Sequence, residues 1–221
     1  MPRLFTALRL PSSIAMQLSL LRGGLNGARW IDTENYHITL AFFGDVDRHV
    51  ANDLALALDG IDRYAFDLRI DRLDAFGNGK PRALYARIEP APALMELQAE
   101  IERLAKRHGV PPDRRKFLPH VTLARLKGTA PHEVAHFIHS RGGYTSPQFT
   151  VDGFELLSSK ASIGGGPYLT EERFNLSTVE EDEWEDTSWE HDADPGHDEP
   201  AARSSWVAPS AGFGAAAFHR R

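Results

Sequence analysis

The sequence predicts an α+β fold built from a duplicated strand–helix–strand–helix–strand unit, and three observations support this prediction. The chain has 221 residues, of which 42% are hydrophobic, enough to bury a core. Segments in which apolar and polar residues alternate are interspersed with segments whose apolar residues recur every three or four positions. Similar segments return about eighty residues apart, a spacing too long for a solenoid repeat. We therefore expect two pseudo-symmetric lobes with antiparallel or mixed sheets around a central cleft, and helices outside.

The repeated unit begins with a strand that ends at a proline. The segment "RLFTALRLP" from Arg3 is echoed by "RALYARIEP" from Arg82, and an offset of 79 residues aligns the two. A helix follows each strand. In the first half its apolar stripe ends at Gly23–Gly24, where glycine is typical of a helix C-terminus. In the second half the stripe comprises Leu94, Leu97, Ile101 and Leu104.

The next strand in each half carries the same motif, His-x-Thr-Leu. It reads "HITLAFFG" from His37 and "HVTLARL" from His120. A second helix follows each motif strand, and a closing strand begins at Phe66 in the first half and at Phe149 in the second. We expect a last strand over residues 168–176 to pair back onto the earlier ones.

The charge distribution predicts one folded domain and a tail. Residues 178–221 contain 11 acidic and 3 basic residues, a net charge of −8, whereas the preceding part of the chain carries +2. An acidic segment that is poor in aliphatic residues is typical of disorder. We therefore expect a bilobal domain over residues 1–177, with lobes at about 1–80 and 81–177 and the last strand crossing back, followed by a disordered acidic tail at 178–221.

Two absences narrow the function classes. The chain has no cysteine, which excludes disulfides, thiolate metal sites and a cysteine nucleophile. The N-terminal segment lacks the pattern of a signal peptide, and no apolar run approaches the ~18 residues of a membrane-spanning helix. We expect a cytoplasmic protein with no membrane association.

The two motif strands predict a shared polar face. Alternate residues of a strand point the same way, so His37 lies on the face of Thr39, and His120 on that of Thr122. The apolar residues between them would pack under the helices. If the pseudo-two-fold axis passes through the cleft, the two histidines face each other there.

Two further residues fall in the opposite phase. The ring of Phe42 could stack on a base, but strict alternation favours a position in the core. Strict alternation also turns Arg125, at the end of the second motif strand, away from His120, so that Arg125 reaches a ligand only if the strand bulges or ends there.

Two histidines and two threonines around one cleft suit chemistry at phosphorus. Two imidazoles serve as acid and base near neutral pH, and two hydroxyls donate hydrogen bonds to non-bridging phosphate oxygens. A 2′,3′-cyclic phosphate is a natural target, because its alkoxide leaving group needs a proton. No metal is required. The motifs supply no third ligand for a catalytic zinc ion. A purely structural role for both motifs remains the alternative.

At these residues the chain resembles the two-histidine phosphoesterase superfamily, whose signature is two His-x-Thr/Ser-x motifs in a duplicated, bilobal fold. More closely, it looks like the bacterial RNA 2′,3′-cyclic phosphodiesterase family, also called 2′–5′ RNA ligase. The segments "RLFTALRLP", "RWIDTENYHITLAFFGDV" and "FLPHVTLAR" match the characteristic segments of that family in order. The likeness covers residues 2–176.

The resemblance implies metal-independent and cofactor-independent opening of RNA 2′,3′-cyclic phosphate ends to 2′-phosphomonoesters. It implies that His37 donates a proton to the leaving 3′ oxygen and that His120 accepts the proton of the attacking water. Thr39 and Thr122 would hold the phosphate, and Arg125 would join them if its strand bulges or ends there. The implied partner is RNA with a 2′,3′-cyclic phosphate end or a related nucleotide; no protein partner is predicted, and 2′–5′ ligation is an implied side activity.

Other assignments remain open from the sequence. The symmetry of the motifs does not decide which histidine is the acid. The basic run at 114–116 is either a solvated loop or a surface for the RNA backbone. Another cyclic-nucleotide or 2′–5′ oligonucleotide phosphodiesterase of the same superfamily, or a non-catalytic RNA-end binder, are the alternative functions.

Overall fold

The computed structural model describes residues 3–77, 79–111, 115–159 and 166–178. The predicted acidic tail, apart from the exposed Thr178, lies outside these ranges.

The described residues form ten strands, four helices and a 3₁₀ turn at Thr33–Asn35. The strands are β1 (Arg3–Arg9), β2 (Ala28–Trp30), β3 (His37–Asp45), β4 (Phe66–Leu68), β5 (Ile70–Phe76), β6 (Ala83–Ile88), β7 (His120–Leu126), β8 (Phe149–Val151), β9 (Gly153–Ser159) and β10 (Tyr168–Asn175). The helices are α1 (Ser12–Ser19), α2 (Arg48–Asp59), α3 (Pro92–Arg107) and α4 (Pro131–Arg141).

Eight of these strands form one sheet in the order β10-β9-β1-β3-β7-β6-β5, with β2 also paired to β7. Strands β4 and β8 form a separate pair. The named strands pair antiparallel throughout the described part of the chain. The predicted α+β class is confirmed. The two motif strands, β3 and β7, are neighbours at the centre of the sheet.

The two halves of the chain exchange their closing strands. Strand β5, from the first half, pairs with β6 of the second half. Strand β9, from the second half, pairs with β1 of the first, and β10 pairs with β9. A division of the chain near residue 80 therefore does not coincide with the division of the sheet.

The helices pack on one face of the sheet. In α3, Leu94, Leu97 and Ile101 of the predicted stripe are fully buried, while Leu104 is only partly buried. They belong to one core with the apolar residues of β3 and β7. Each such buried side chain stabilises the fold by about 1.5–3 kcal/mol. Helix α1 is shorter than predicted, ending before Gly23–Gly24. No helix in the described ranges is long and apolar enough to cross a membrane.

The register of β1 and β6 corrects the repeat alignment. Arg9 pairs with His37, and Arg87 pairs with His120, so Arg9 and Arg87 are the equivalent residues. The sequence offset of 79 residues instead aligned Arg9 with Ile88, which is fully buried. The alignment was wrong by one residue, and a one-residue slip moves every side chain of a strand to the other face.

Candidate active site

One residue pair joins the two motif strands. Ile38 of β3 lies opposite Val121 of β7, and both side chains are fully buried on the helix-covered face. Because the strands are antiparallel, the residues on either side of this pair also become neighbours. One neighbouring pair is His37 with Thr122 and the other is Thr39 with His120. These four residues are half-buried on the opposite face of the sheet, which we call the cleft face.

The two imidazoles are held in the same way. The Nδ1–H of His37 donates to the carbonyl oxygen of Asn35 at 2.7 Å, and that of His120 donates to the carbonyl oxygen of Leu118 at 2.7 Å. A carbonyl oxygen only accepts, so Nδ1 carries the proton in both rings. In the neutral form each Nε2 therefore has a free lone pair. Each motif thus fixes the tautomer of its histidine through the residue two positions earlier.

Aromatic rings flank each imidazole. The ring centroids nearest that of His37 belong to Tyr168 at 5.0 Å and Phe5 at 5.4 Å. The ring centroids nearest that of His120 belong to Phe76 at 4.9 Å and Tyr85 at 5.3 Å. Phe5 and Tyr85 come from strands that neighbour a motif strand, Phe76 from the strand beyond β6, and Tyr168 from β10 at the edge of the sheet. These rings contribute to the partial burial of the imidazoles. Their place beside the histidines cannot be predicted from a motif, because it depends on strand pairing.

Burial lowers the pKa of both histidines. It is the main cause that brings the pKa of His37 from 6.5 down to about 4, and the charges of Arg9 and Arg125 add to the effect. The hydrogen bond to the backbone carbonyl opposes this shift. Burial also lowers the pKa of His120, with further lowering from Arg125 and Arg115. Without a bound anion, both imidazoles are neutral at neutral pH.

A β-bulge places Arg125 on the cleft face. Strand β7 has one extra residue against β6 between Thr122 and Ala124. As a result Leu123 and Ala124 are both buried, and the next residue, Arg125, is exposed on the side of Thr122. Its charge lowers the pKa of both histidines, which is consistent with that position. The structure thus contains the bulge on which the predicted role of Arg125 depends.

The same bulge occurs in β3 and overturns one prediction. Leu40 and Ala41 are both buried where β3 has an extra residue against β1. Phe42 is thereby turned to the cleft face, where its side chain is 54% exposed and its ring centroid lies 5.5 Å from that of Phe5. Its predicted core position was wrong, because alternation does not hold across a bulge. Phe42 occupies in β3 the place of Arg125 in β7.

Two further arginines on the cleft face were missed. Arg9 donates from Nε to Glu155 at 2.8 Å and from Nη1 to the carbonyl oxygen of Glu34 at 2.9 Å. Its counterpart Arg87 lies 3.7 Å from the carboxylate of Asp71. Both arginines are therefore held by acids on the neighbouring strands. Correct alignment of the two repeats would have shown them, since each is paired with a motif histidine.

Two other sequence features are the basic run at 114–116 and the potential for metal binding. Of the basic run, Arg114 lies outside the described residues, whereas Arg115 is close enough to lower the pKa of His120 and Lys116 is exposed. Within the described ranges, no group of three His, Cys, Asp or Glu side chains is arranged to hold a metal ion.

Comparison with known proteins gives one family. Residues 10–162 match the family model described as the 2′-5′ RNA ligase superfamily. Three similar proteins are named RNA 2′,3′-cyclic phosphodiesterase. That of Thermotoga maritima is 30% identical over 179 residues, covering 75% of this chain and 91% of that protein. That of Aeropyrum pernix is 36% identical over 100 residues, covering 44% and 57%. That of Geobacillus stearothermophilus is 32% identical over 137 residues, covering 58% and 44%. The chain thus spans about half the length of the latter two.

Solved structures give the same result. Escherichia coli LigT in complex with 3′-AMP has a TM-score of 0.65 at 26% identity, covering 80% of this chain and 99% of that chain. TT0787 of Thermus thermophilus has a TM-score of 0.66 at 26% identity, covering 80% and 100%. The fold and the family model therefore agree.

Proposed function

The chain belongs to the 2′-5′ RNA ligase superfamily, and we propose that it hydrolyses RNA 2′,3′-cyclic phosphate ends to 2′-phosphomonoesters, with His37 and His120 as acid and base. The observation that carries the proposal is the pairing of Ile38 with Val121, which puts both histidines on one face beside a threonine of the other motif. The names of the similar proteins and the 3′-AMP bound to LigT support this substrate class.

His120 is the proposed base. Its Nδ1 is occupied by the bond to the Leu118 carbonyl, and its lowered pKa keeps Nε2 unprotonated at neutral pH. Nε2 accepts a proton from a water molecule as the water oxygen attacks phosphorus and forms the new P–O bond.

His37 is the proposed acid. As the P–O3′ bond breaks, its Nε2–H donates to the leaving 3′ oxygen. The step leaves His120 protonated and His37 neutral, and proton exchange with solvent restores the starting state. A pKa near 4 leaves His37 mostly neutral in the free protein. We therefore assign its protonation to the bound complex, where the phosphate anion raises the pKa of the imidazole.

The other residues of the cleft face hold the substrate. The hydroxyls of Thr39 and Thr122 donate to the non-bridging oxygens, and Arg125 neutralises the charge that develops on them. Phe42 offers an exposed ring on which the terminal base stacks. A 5′-hydroxyl in place of the attacking water would give a 2′–5′ linkage, so we include ligation as a side activity of the same site.

The test is incubation with an oligonucleotide that ends in a 2′,3′-cyclic phosphate, in the presence of EDTA. We expect a 2′-phosphate product from the wild type. A 3′-phosphate product would reject the assignment of the leaving oxygen, and loss of activity in EDTA would reject metal independence.

A substrate panel separates the alternatives. Turnover of a cyclic mononucleotide or a 2′–5′ oligonucleotide, with none of the cyclic-ended RNA, would favour a different phosphodiesterase of the superfamily. Binding of the RNA end without turnover, retained in His37→Ala and His120→Ala, would favour a non-catalytic binder.

A further inference from the structure

A second cationic position lies beside Arg125. Arg29 of β2 is directly opposite Arg125 in the antiparallel pairing of β2 with β7. Directly opposed residues project from the same face of a sheet. The next residue, Trp30, points the other way, where its ring centroid lies 6.0 Å from that of Phe137 in the core. Arg29 is therefore on the cleft face with Arg125, and both are exposed.

The charges of this pair are not compensated. Neither Arg29 nor Arg125 forms an ion pair with a carboxylate of the described residues. Arg9 and Arg87, on the same face, each have an acidic partner. Like charges directly opposite each other destabilise a strand pair. Two arginines without carboxylate partners, next to the proposed phosphate site, are suited to bind an anion.

The position of the two arginines indicates which anion they bind. Arg125 lies three residues beyond Thr122, about 10 Å along the strand. Arg29 is on the next strand and further from the histidines. In the proposed complex the cyclic phosphate lies between the two motifs. A cyclic mononucleotide contains no second phosphate. A second phosphate near Arg29 is present only when the substrate is a longer chain.

We propose that Arg29, beside Arg125, binds the phosphodiester that precedes the terminal nucleotide, so that the site prefers an RNA end to a cyclic mononucleotide. This proposal rests on the proposed function. Arg29 contributes no acid or base and acts on substrate preference alone.

The test compares Arg29→Gln with the wild type on two substrates that share the same terminal nucleoside: adenosine 2′,3′-cyclic phosphate and a short RNA with that cyclic phosphate end. We expect the ratio of kcat/KM for the RNA to kcat/KM for the mononucleotide to fall about tenfold. The dependence of log kcat/KM on log salt for the RNA should become shallower by about 0.7, the value for one lost phosphate contact on a single strand.

The matched control is Arg103→Gln. Arg103 is exposed on α3, where its guanidinium lies 3.3 Å from the carboxylate of Glu100 on the same helix. This variant should leave both the ratio and the salt dependence unchanged, and thermal unfolding should show that both variants fold. An unchanged ratio in Arg29→Gln would overturn the subsite.

Failure of the proposed function has a separate outcome. If the wild type turns over neither substrate, the activity is rejected, but the subsite is still tested by binding. A short RNA with a 2′-phosphate end should then bind Arg29→Gln about tenfold more weakly than the wild type, and equal affinity would overturn the subsite.

Discussion

At the scale of single residues, the two motif histidines share a hydrogen-bonding geometry but differ in environment. Both donate from Nδ1 to a carbonyl oxygen two residues earlier. His37 is the more strongly affected, with a pKa of about 4, because it is more deeply buried and close to the guanidinium of Arg9. The proposed acid is thus the group that most depends on a bound anion for its proton.

This difference predicts a shift in the pH profile. The profile of kcat/KM reports the free protein, in which both pKa values are lowered, so its optimum should lie below pH 6.5. The profile of kcat reports the complex, in which the phosphate raises the pKa of His37, so its alkaline limb should lie at higher pH. The apparent pKa values that the two limbs report belong to the pair of histidines, and not to either histidine alone. Identical profiles for kcat and kcat/KM, both centred above pH 7, would contradict this account.

The same pKa predicts a loss of stability in acid. Between pH 6.5 and about 4 the unfolded chain binds a proton at His37 that the folded chain does not. The free energy of unfolding therefore falls as the pH is lowered through this window, by at most about 3 kcal/mol from this group. Urea unfolding of the wild type and of His37→Gln at pH 7 and pH 4.5 measures the effect. The fall should be smaller in the variant, and an equal fall in both would refute the assignment.

At the scale of the elements, the bulges in β3 and β7 decide which residues reach the cleft. The sequence correctly predicts that each histidine shares a face with the threonine two positions on, since they precede the bulge. The prediction from alternation fails for Phe42, because Phe42 follows the bulge. A bulge depends on the pairing with β1 or β6, which the motif strand alone does not reveal. The missed equivalence of Arg9 with Arg87 has a similar cause, a slip of one residue that only register exposes.

The bulge in β3 predicts opposite effects for two neighbouring phenylalanines. Phe43 is buried, so Phe43→Ala should reduce the free energy of unfolding by about 3–5 kcal/mol. Phe42 is 54% exposed, so Phe42→Ala should cost about 1 kcal/mol or less and weaken substrate binding instead. Chemical denaturation of the two variants makes the comparison. A larger loss for Phe42→Ala would mean that strict alternation holds and that the strand has no bulge.

At the scale of the whole molecule, the site belongs to neither half of the chain alone. Each half supplies one motif, and each part of the sheet is completed by a closing strand from the other half. The duplication and the four motif residues of the cleft face could be predicted because the motifs repeat. The exchange of closing strands could not, because the repeats do not specify their partners. We propose that residues 1–177 form the catalytic domain and that 178–221 are an acidic tail.

We propose that two motifs, one from each half of the chain, act as one acid–base pair. Residues that act as a unit show non-additive losses when they are removed separately and together. The most direct test is therefore kcat on a cyclic-phosphate-ended RNA for His37→Ala, His120→Ala and the double variant. We expect each single variant to lose at least about 10³-fold and the double variant to be no slower. Near-wild-type turnover in either single variant would contradict the account.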